Sequence, residues 1–179
     1  MIVQIFENAF PDSLCKDINK YMATAPLKDI NYKVQKDVLG CEIENELLDS
    51  IVPLGLEFAE KYFSKFEYAK YDLKLEVVEL LRYGNGTFCE NHFDNELVTE
   101  DDVDHVVLRL LSMILFLNDD FEGGETYFRD QDITVTPKYR SMAVFPCIFM
   151  VPHEVSKVKG VRDVLGINFS TRTDNLCGF

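Results

Sequence analysis

The chain has only three histidines, no two cysteines at CxxC spacing, no surplus of basic residues and no apolar run long enough to cross a bilayer. Each shortage excludes something. A membrane-spanning helix needs about 20 consecutive apolar residues, and Met1 to Phe6 also lacks the basic start, apolar stretch and small-residue cleavage site of a secretion signal. The expectation is a soluble cytoplasmic protein with no membrane partner. Five cysteines (Cys15, Cys41, Cys89, Cys147, Cys177) are odd in number and widely scattered, which argues against a disulfide framework or a zinc knuckle and for buried free thiols. Eighteen Lys and Arg against 31 Asp and Glu leave a net charge of −13, so phosphate backbones are repelled and a nucleic-acid substrate is disfavoured. Glu96, Glu100, Asp101, Asp102 and Asp104 concentrate that charge in a stretch that is either a solvated loop or an attractor for a basic peptide.

No internal repeat or low-complexity linker divides the 179 residues, a length that suits one domain around a single core. Ile2 to Phe6 reads as a short strand, and Asp12 or Ser13 can cap a helix through Leu14, Ile18 and Tyr21 to Met22. Residues 26 to 42 carry turn chemistry. Leu47, Leu48, Ile51, Leu54, Phe58 and Phe63 give a long helix over Glu44 to Phe63 one apolar face, with a disturbance expected at Pro53. From Leu73 the pattern changes to strands at 73–83, 106–117, 125–128, 133–137, 141–151 and 162–170, punctuated at Gly84-Asn85-Gly86, Asn118-Asp119-Asp120, Gly123-Gly124 and Lys159-Gly160. Helices first and antiparallel strands after predict an α+β domain, helical support over about 1–70 and a β core over about 71–172, with the helices backing one face of a sandwich or jelly roll.

Two of the three histidines stand where a metal site would want them. His92 and Asp94 are two residues apart, so on an extended segment both side chains point to one face while Phe93 points away. His153 follows the apolar run Ala143 to Val151, read as a buried strand that delivers its last residues to the same pocket. Two imidazoles and one carboxylate on one side of an octahedron leave positions open, which suits Fe(II) binding a cosubstrate and O2. Nine residues after His153 comes Arg162, sharing a strand face with Val164, Gly166 and Asn168. There it can grip a carboxylate through a two-pronged hydrogen bond, with small residues leaving room for a ligand.

These blocks resemble the 2-oxoglutarate/Fe(II) dioxygenases, in particular the prolyl 4-hydroxylase-like branch. The likeness runs from about Leu80 to Phe169 through Arg82-Tyr83-Gly84-Asn85-Gly86, the HxD, Leu115-Phe116-Leu117-Asn118-Asp119, Gly123-Gly124-Glu125-Thr126, Val144-Phe145-Pro146, and His153 to Arg162. It implies a double-stranded β-helix, Fe(II) on His92, Asp94 and His153, and 2-oxoglutarate held at its far carboxylate by Arg162 and contacted by the Tyr83 hydroxyl. O2 would be the oxidant and ascorbate a reductant. The family often has tyrosine where this chain has Phe116, so one hydroxyl contact to the cosubstrate is missing, and Ser112 is its candidate partial replacement. Asp94, in place of a small residue, implies hydroxylation over halogenation.

Tyr127, Arg129 and Asn168 are candidate substrate contacts, with sheet packing as the competing role for the first two. Glu125 reads as structural and His105 as a surface residue. The leading expectation is hydroxylation of a proline in a peptide or protein, with 2-oxoglutarate decarboxylated to succinate. A free amino acid or other small molecule is the second substrate class, and a β-helix protein that binds metal or ligand without turnover is the third reading. A nucleic-acid demethylase is disfavoured by charge and by the absence of a second arginine between Arg162 and Arg172. Substrate choice is expected in Asn95 to Asp104 and Lys28 to Cys41.

Overall fold

The computed structural model describes residues 1–30, 35–66, 73–94 and 107–172. In chain order the elements are β1 (Gln4–Phe6), α1 (Asp12–Met22), β2 (Lys28–Ile30), β3 (Gln35–Glu42), α2 (Leu48–Phe63), β4 (Lys74–His92), β5 (Val107–Phe116), β6 (Thr126–Phe128), a 3-10 turn (Arg129–Gln131), β7 (Ile133–Val135), β8 (Met142–Pro146), β9 (His153–Val155) and β10 (Arg162–Arg172). All strand pairs are antiparallel.

One wall runs β1-β8-β5-β10-β4 and continues through β3 to β2, while the far half of β4 carries β9, β6 and β7. Because β4 belongs to both walls, the sheet curls back on itself into a nearly closed jelly roll, the double-stranded β-helix expected from the sequence. The bend falls at Gly84-Asn85-Gly86, where Gly86 has φ +86° and its N–H donates to the Val158 carbonyl at 2.7 Å. The sequence predicts a strand-ending turn there. The chain instead keeps pairing on both sides of the bend, since β10 holds the first half and β9 the second.

Strand alternation separates two cores. Val78, Leu80, Met113, Leu115, Leu165, Ile167 and Phe169 face outward from the larger wall onto the helices, packing against Cys15, Ile18 and Met22 of α1 and Ile51, Phe58, Ala59 and Tyr62 of α2. Each large side chain buried this way stabilises by roughly 1.5–3 kcal/mol. Gly55 lets α2 approach closely, because a Cβ there would stand 3.2 Å from Phe169 Cζ. On the inner face Tyr83, Phe116, Phe128, Ala143, Phe145, Val155 and Val164 form the second core, around the space where the site lies.

Local expectations needed four corrections, three of them at the N-terminal side. Helix α1 begins after Pro11 with no side-chain cap, and Asp12 lies inside its first turn, paired to Lys16 at 2.6 Å. Helix α2 starts at Leu48 and runs unbroken through Pro53. Proline there, early in the helix, forfeits one backbone bond that the packing of the apolar face offsets. Residues 28–30 and 35–42 form a hairpin, β2–β3, that extends the sheet, as its pairing with β4 overrides the local turn chemistry. The first 70 residues thus contribute strands as well as helices. Finally, the run 141–151 is no single strand: β8 stops at Pro146, the chain crosses from the larger wall to the smaller, and His153 opens β9.

Among the described residues no helix is long and apolar enough to cross a membrane. Cys15, Cys89 and Cys147 are buried free thiols, and Cys41 is half-buried. Cys177, His105 and the acidic stretch 96–104 lie outside the described residues.

Candidate metal and cosubstrate site

The last residue of β4 and the first of β9 are register partners, so His92 and His153 stand side by side, their ring centroids 4.4 Å apart. Asp94 follows two residues on. Its Oδ1 lies 3.3 Å from His92 Nε2 and 3.5 Å from His153 Nε2, and one ligand atom from each residue falls within 4.8 Å of the others. Adjacent ligand atoms around an octahedral ion with bonds of about 2.1 Å are about 3.0 Å apart. The two Asp94 separations are close to that size.

The surroundings orient the three groups. His92 Nδ1–H donates to the Glu90 carbonyl at 2.8 Å, which leaves Nε2 turned to Asp94, and the Cys89 thiol sits 3.4 Å from Nδ1. Phe128 and Phe145 pack on the His153 ring. Burial lowers His153, keeping that imidazole neutral and able to offer a lone pair. Burial also pushes His92 down, but its bonds to Asp94 and Cys89 outweigh this and hold it up at about 10. Asp94 is buried too, yet the two imidazoles and the Ser112 hydroxyl hold its carboxyl well below the usual range. Arg109 bonds the Asp94 carbonyl at 3.4 Å and is itself fixed by Glu76.

Arg162 opens β10 opposite Tyr83. It is 1% exposed, the largest fully buried side chain among the described residues. Its guanidinium carbon lies 4.7 Å from the Tyr83 ring centroid and 5.3 Å from that of Phe116, and Nη2 donates to Thr126 Oγ1 at 3.2 Å. Nε is buried with no partner, and no carboxylate pairs with this cation among the described residues. A buried, unpaired arginine is costly unless an anion completes it.

Gly123 and Gly124 build the floor beneath Arg162. Both have positive φ (73° and 69°), and a Cβ on Gly124 would stand 2.9 Å from Arg162 Cδ. Glu125 closes this turn by exchanging backbone and side-chain bonds with Ser156, the structural role expected of it.

Not every candidate from the sequence gathers here. Ser112 pairs in register with Asn168, six residues along β10 from Arg162, and donates to Asn168 Oδ1 at 2.7 Å while contacting Cys147 Sγ at 2.9 Å. Six residues of strand span about 20 Å, so Ser112 lies well along the strand from Arg162, with its hydroxyl beside Asp94 instead. Asn168 does share the inner face. Tyr127 and Arg129 are directed away: alternation along β6 turns Thr126 and Phe128 inward, Tyr127 donates to Asp132 at 3.2 Å, and Arg129 pairs with Glu154 at 3.0 Å.

Two inner residues escaped the reading of the sequence, Thr126 against Arg162 and Glu79 on β4. For Glu79 the signal was a carboxylate at the same period-2 positions as the apolar Val77, Leu81 and Tyr83.

Comparison with known proteins agrees with this architecture. A viral collagen prolyl hydroxylase from Paramecium Bursaria Chlorella virus-1, in complex with 2-oxoglutarate, superposes with TM-score 0.75 at 14% identity, covering 96% of this chain and 97% of that one. A prolyl-4-hydroxylase from Pseudomonas putida gives 0.73 at 19% identity over 95% and 92%. A prolyl hydroxylase from Trichoplax adhaerens, solved with a hypoxia inducible factor oxygen degradation domain peptide fragment, gives 0.72 at 12% identity over 95% and 84%. No curated protein matches the sequence. The family model described as the 2OG-Fe(II) oxygenase superfamily matches residues 78–170, more than half of the chain. The chain is therefore an oxygenase belonging to the 2OG-Fe(II) oxygenase superfamily, which implies Fe(II), 2-oxoglutarate and O2 as its reaction partners.

Proposed function

We propose that this oxygenase hydroxylates a prolyl residue in a peptide or protein, with His92, Asp94 and His153 holding Fe(II) and Arg162 holding the distal carboxylate of 2-oxoglutarate. The observation that carries the reading is one buried arginine without an anion, on the same inner face as a convergent His-Asp-His set. The residues present fit the implied groups. Two Nε2 atoms and one carboxylate oxygen form a donor set suited to Fe(II) with open positions, and the unpartnered Arg162 Nε fits a carboxylate in a dry, aromatic slot.

Bound there, Fe(II) and 2-oxoglutarate supply the activation of O2 that oxidises a substrate C–H bond as 2-oxoglutarate is decarboxylated to succinate. The chain's own residues do the positioning. His92 is oriented by its Nδ1 bond, Asp94 by Arg109 at its carbonyl, and Arg162 by Thr126 and the two rings beside it. The Tyr83 hydroxyl joins Arg162 at the cosubstrate in this reading, which the stacking of Arg162 on the Tyr83 ring supports. Phe128, Phe145 and Val164 keep water from the inner end of the slot. Ascorbate is the proposed reductant. The prolyl substrate is the part of the proposal that the prolyl hydroxylases among the structural neighbours support.

The test is anaerobic addition of Fe(II) and 2-oxoglutarate, which should raise a weak visible charge-transfer band that His153→Ala abolishes. No band at millimolar cosubstrate would sink the reading. Succinate release stimulated by proline-containing peptides, with a +16 product by mass spectrometry, tests the substrate.

A further inference from the structure

The site described so far leaves one inner-face side chain without a task. Glu79 alternates with the buried Val78 and Leu80 of β4, and its neighbours across the strands are Gly166 on β10 and Glu42 on β3. Gly166 has no side chain to oppose it, so the Glu79 arm lies over the β10 backbone: a Cβ on Gly166 would stand 3.1 Å from Glu79 Cγ and 3.4 Å from Oε1. Two residues further along β10 is Asn168, 5% exposed, whose Oδ1 is taken by Ser112. Its amide N–H groups have no protein partner among the described residues, and they are free to donate.

Glu79 itself forms no hydrogen bond or ion pair among the described residues. The one cation acting on it, Arg109, is committed to Glu76 and to the Asp94 carbonyl. Burial, with Asp94, Glu42 and Glu76 around it outweighing Arg109, pushes the Glu79 carboxyl up to about 7. A carboxyl placed opposite another carboxyl and left unpaired destabilises a sheet. Such departures from good packing concentrate at binding sites, where a ligand supplies the missing partner.

Resting on the oxygenase site proposed above, we propose that Glu79 sets substrate specificity by pairing with a positively charged group, a primary amine or guanidinium, that the substrate carries near the oxidised carbon. Asn168 donates to a carbonyl or carboxylate oxygen of the same substrate. An anionic substrate would meet Glu79 and its cross-strand neighbour Glu42 together, and a neutral one would leave Glu79 uncompensated.

The experiment uses proline peptides identical except for lysine, Nε-acetyllysine or glutamate beside the proline, together with free L-lysine and Nε-acetyllysine. Calorimetric titration of the metal-free protein reads binding, and succinate release from the Fe(II)- and 2-oxoglutarate-loaded protein reads KM and kcat. The lysine compounds should be favoured over the acetylated ones by about tenfold, the size of one charge-assisted contact, chiefly in KM. Glu79→Gln should erase that ratio while melting no lower than wild type, since it removes the repulsion with Glu42. Glu79→Lys should turn the preference towards glutamate. Equal binding of lysine and acetyllysine compounds by the wild type overturns the proposal, as does a preference that survives in Glu79→Gln. The wild-type charge-transfer band separates the two failures: with the band present only the Glu79 assignment falls, and with it absent the oxygenase site falls and takes this inference with it.

Discussion

Arg162 lies against the face of Phe116, its guanidinium carbon 5.3 Å from the ring centroid, on a wall where Phe116 is fully buried. A phenyl ring gives this cation packing and a π face but no hydroxyl for an anion it holds. Phe116→Tyr should therefore add one hydrogen bond to a carboxylate on Arg162. At about 0.5–1.5 kcal/mol, 2-oxoglutarate should bind roughly twofold to tenfold more tightly, read by titrating the charge-transfer band.

Arg162 is buried as a cation with one Nε unpartnered, so the cosubstrate-free fold carries the cost of that charge. Arg162→Met keeps similar length without the charge. It should raise the melting temperature of the cosubstrate-free protein and abolish the further rise on adding 2-oxoglutarate. A lower melting temperature in the variant would show that the arginine is structural.

In the metal-free protein His92 is held up at about 10 by its bonds to Asp94 and Cys89 against the effect of burial. A metal ion must displace that proton, so metal uptake at pH 7 should release about one proton. Calorimetry in buffers of different ionisation enthalpy measures this directly. Because His92 is raised above its unfolded value of about 6.5, its protonated form stabilises the metal-free fold. Its contribution is complete below pH 6.5 and is lost as pH rises through about 10. Asp94→Asn should flatten that decline in the metal-free protein.

Gly124 has φ +69°, and a Cβ there meets Arg162 Cδ and Phe121 Cε2, each at 2.9 Å. Gly124→Ala combines a left-handed backbone with a steric clash, about 1–3 kcal/mol. The melting temperature should fall by roughly 3–10 °C, and 2-oxoglutarate affinity should fall with it because Arg162 is displaced. Affinity unchanged in a folded Gly124→Ala variant would argue against Arg162 as the anchor.

Much of this site is legible in one dimension because alternation is a local property. The His92/Asp94 spacing and the shared face of Arg162, Val164, Gly166 and Asn168 follow from a period of two, and the structure preserves both. The strand positions from Leu73 onward also follow from hydrophobic pattern, to within a few residues at most ends. Where reading failed, a partner decided. The strand pair 28–30 and 35–42 has weak strand chemistry and exists because β4 offers an edge, and Ser112 looks close to Phe116 in sequence yet lies a long way down the strand from Arg162.

By itself, then, the sequence determined which residue types are available for chemistry and which of them share a face within a single strand, because side-chain direction repeats every two residues. Only the tertiary structure decided which strands meet. Register between β4 and β9 sets His153 beside His92, antiparallel pairing of β10 with β4 and β5 encloses Arg162 between two rings, and the opposition of Glu79 to Gly166 and Glu42 leaves a carboxyl unpaired beside the site. Those relationships join residues tens of positions apart in the chain, and they are fixed by burial of the two cores on either side of one curled sheet.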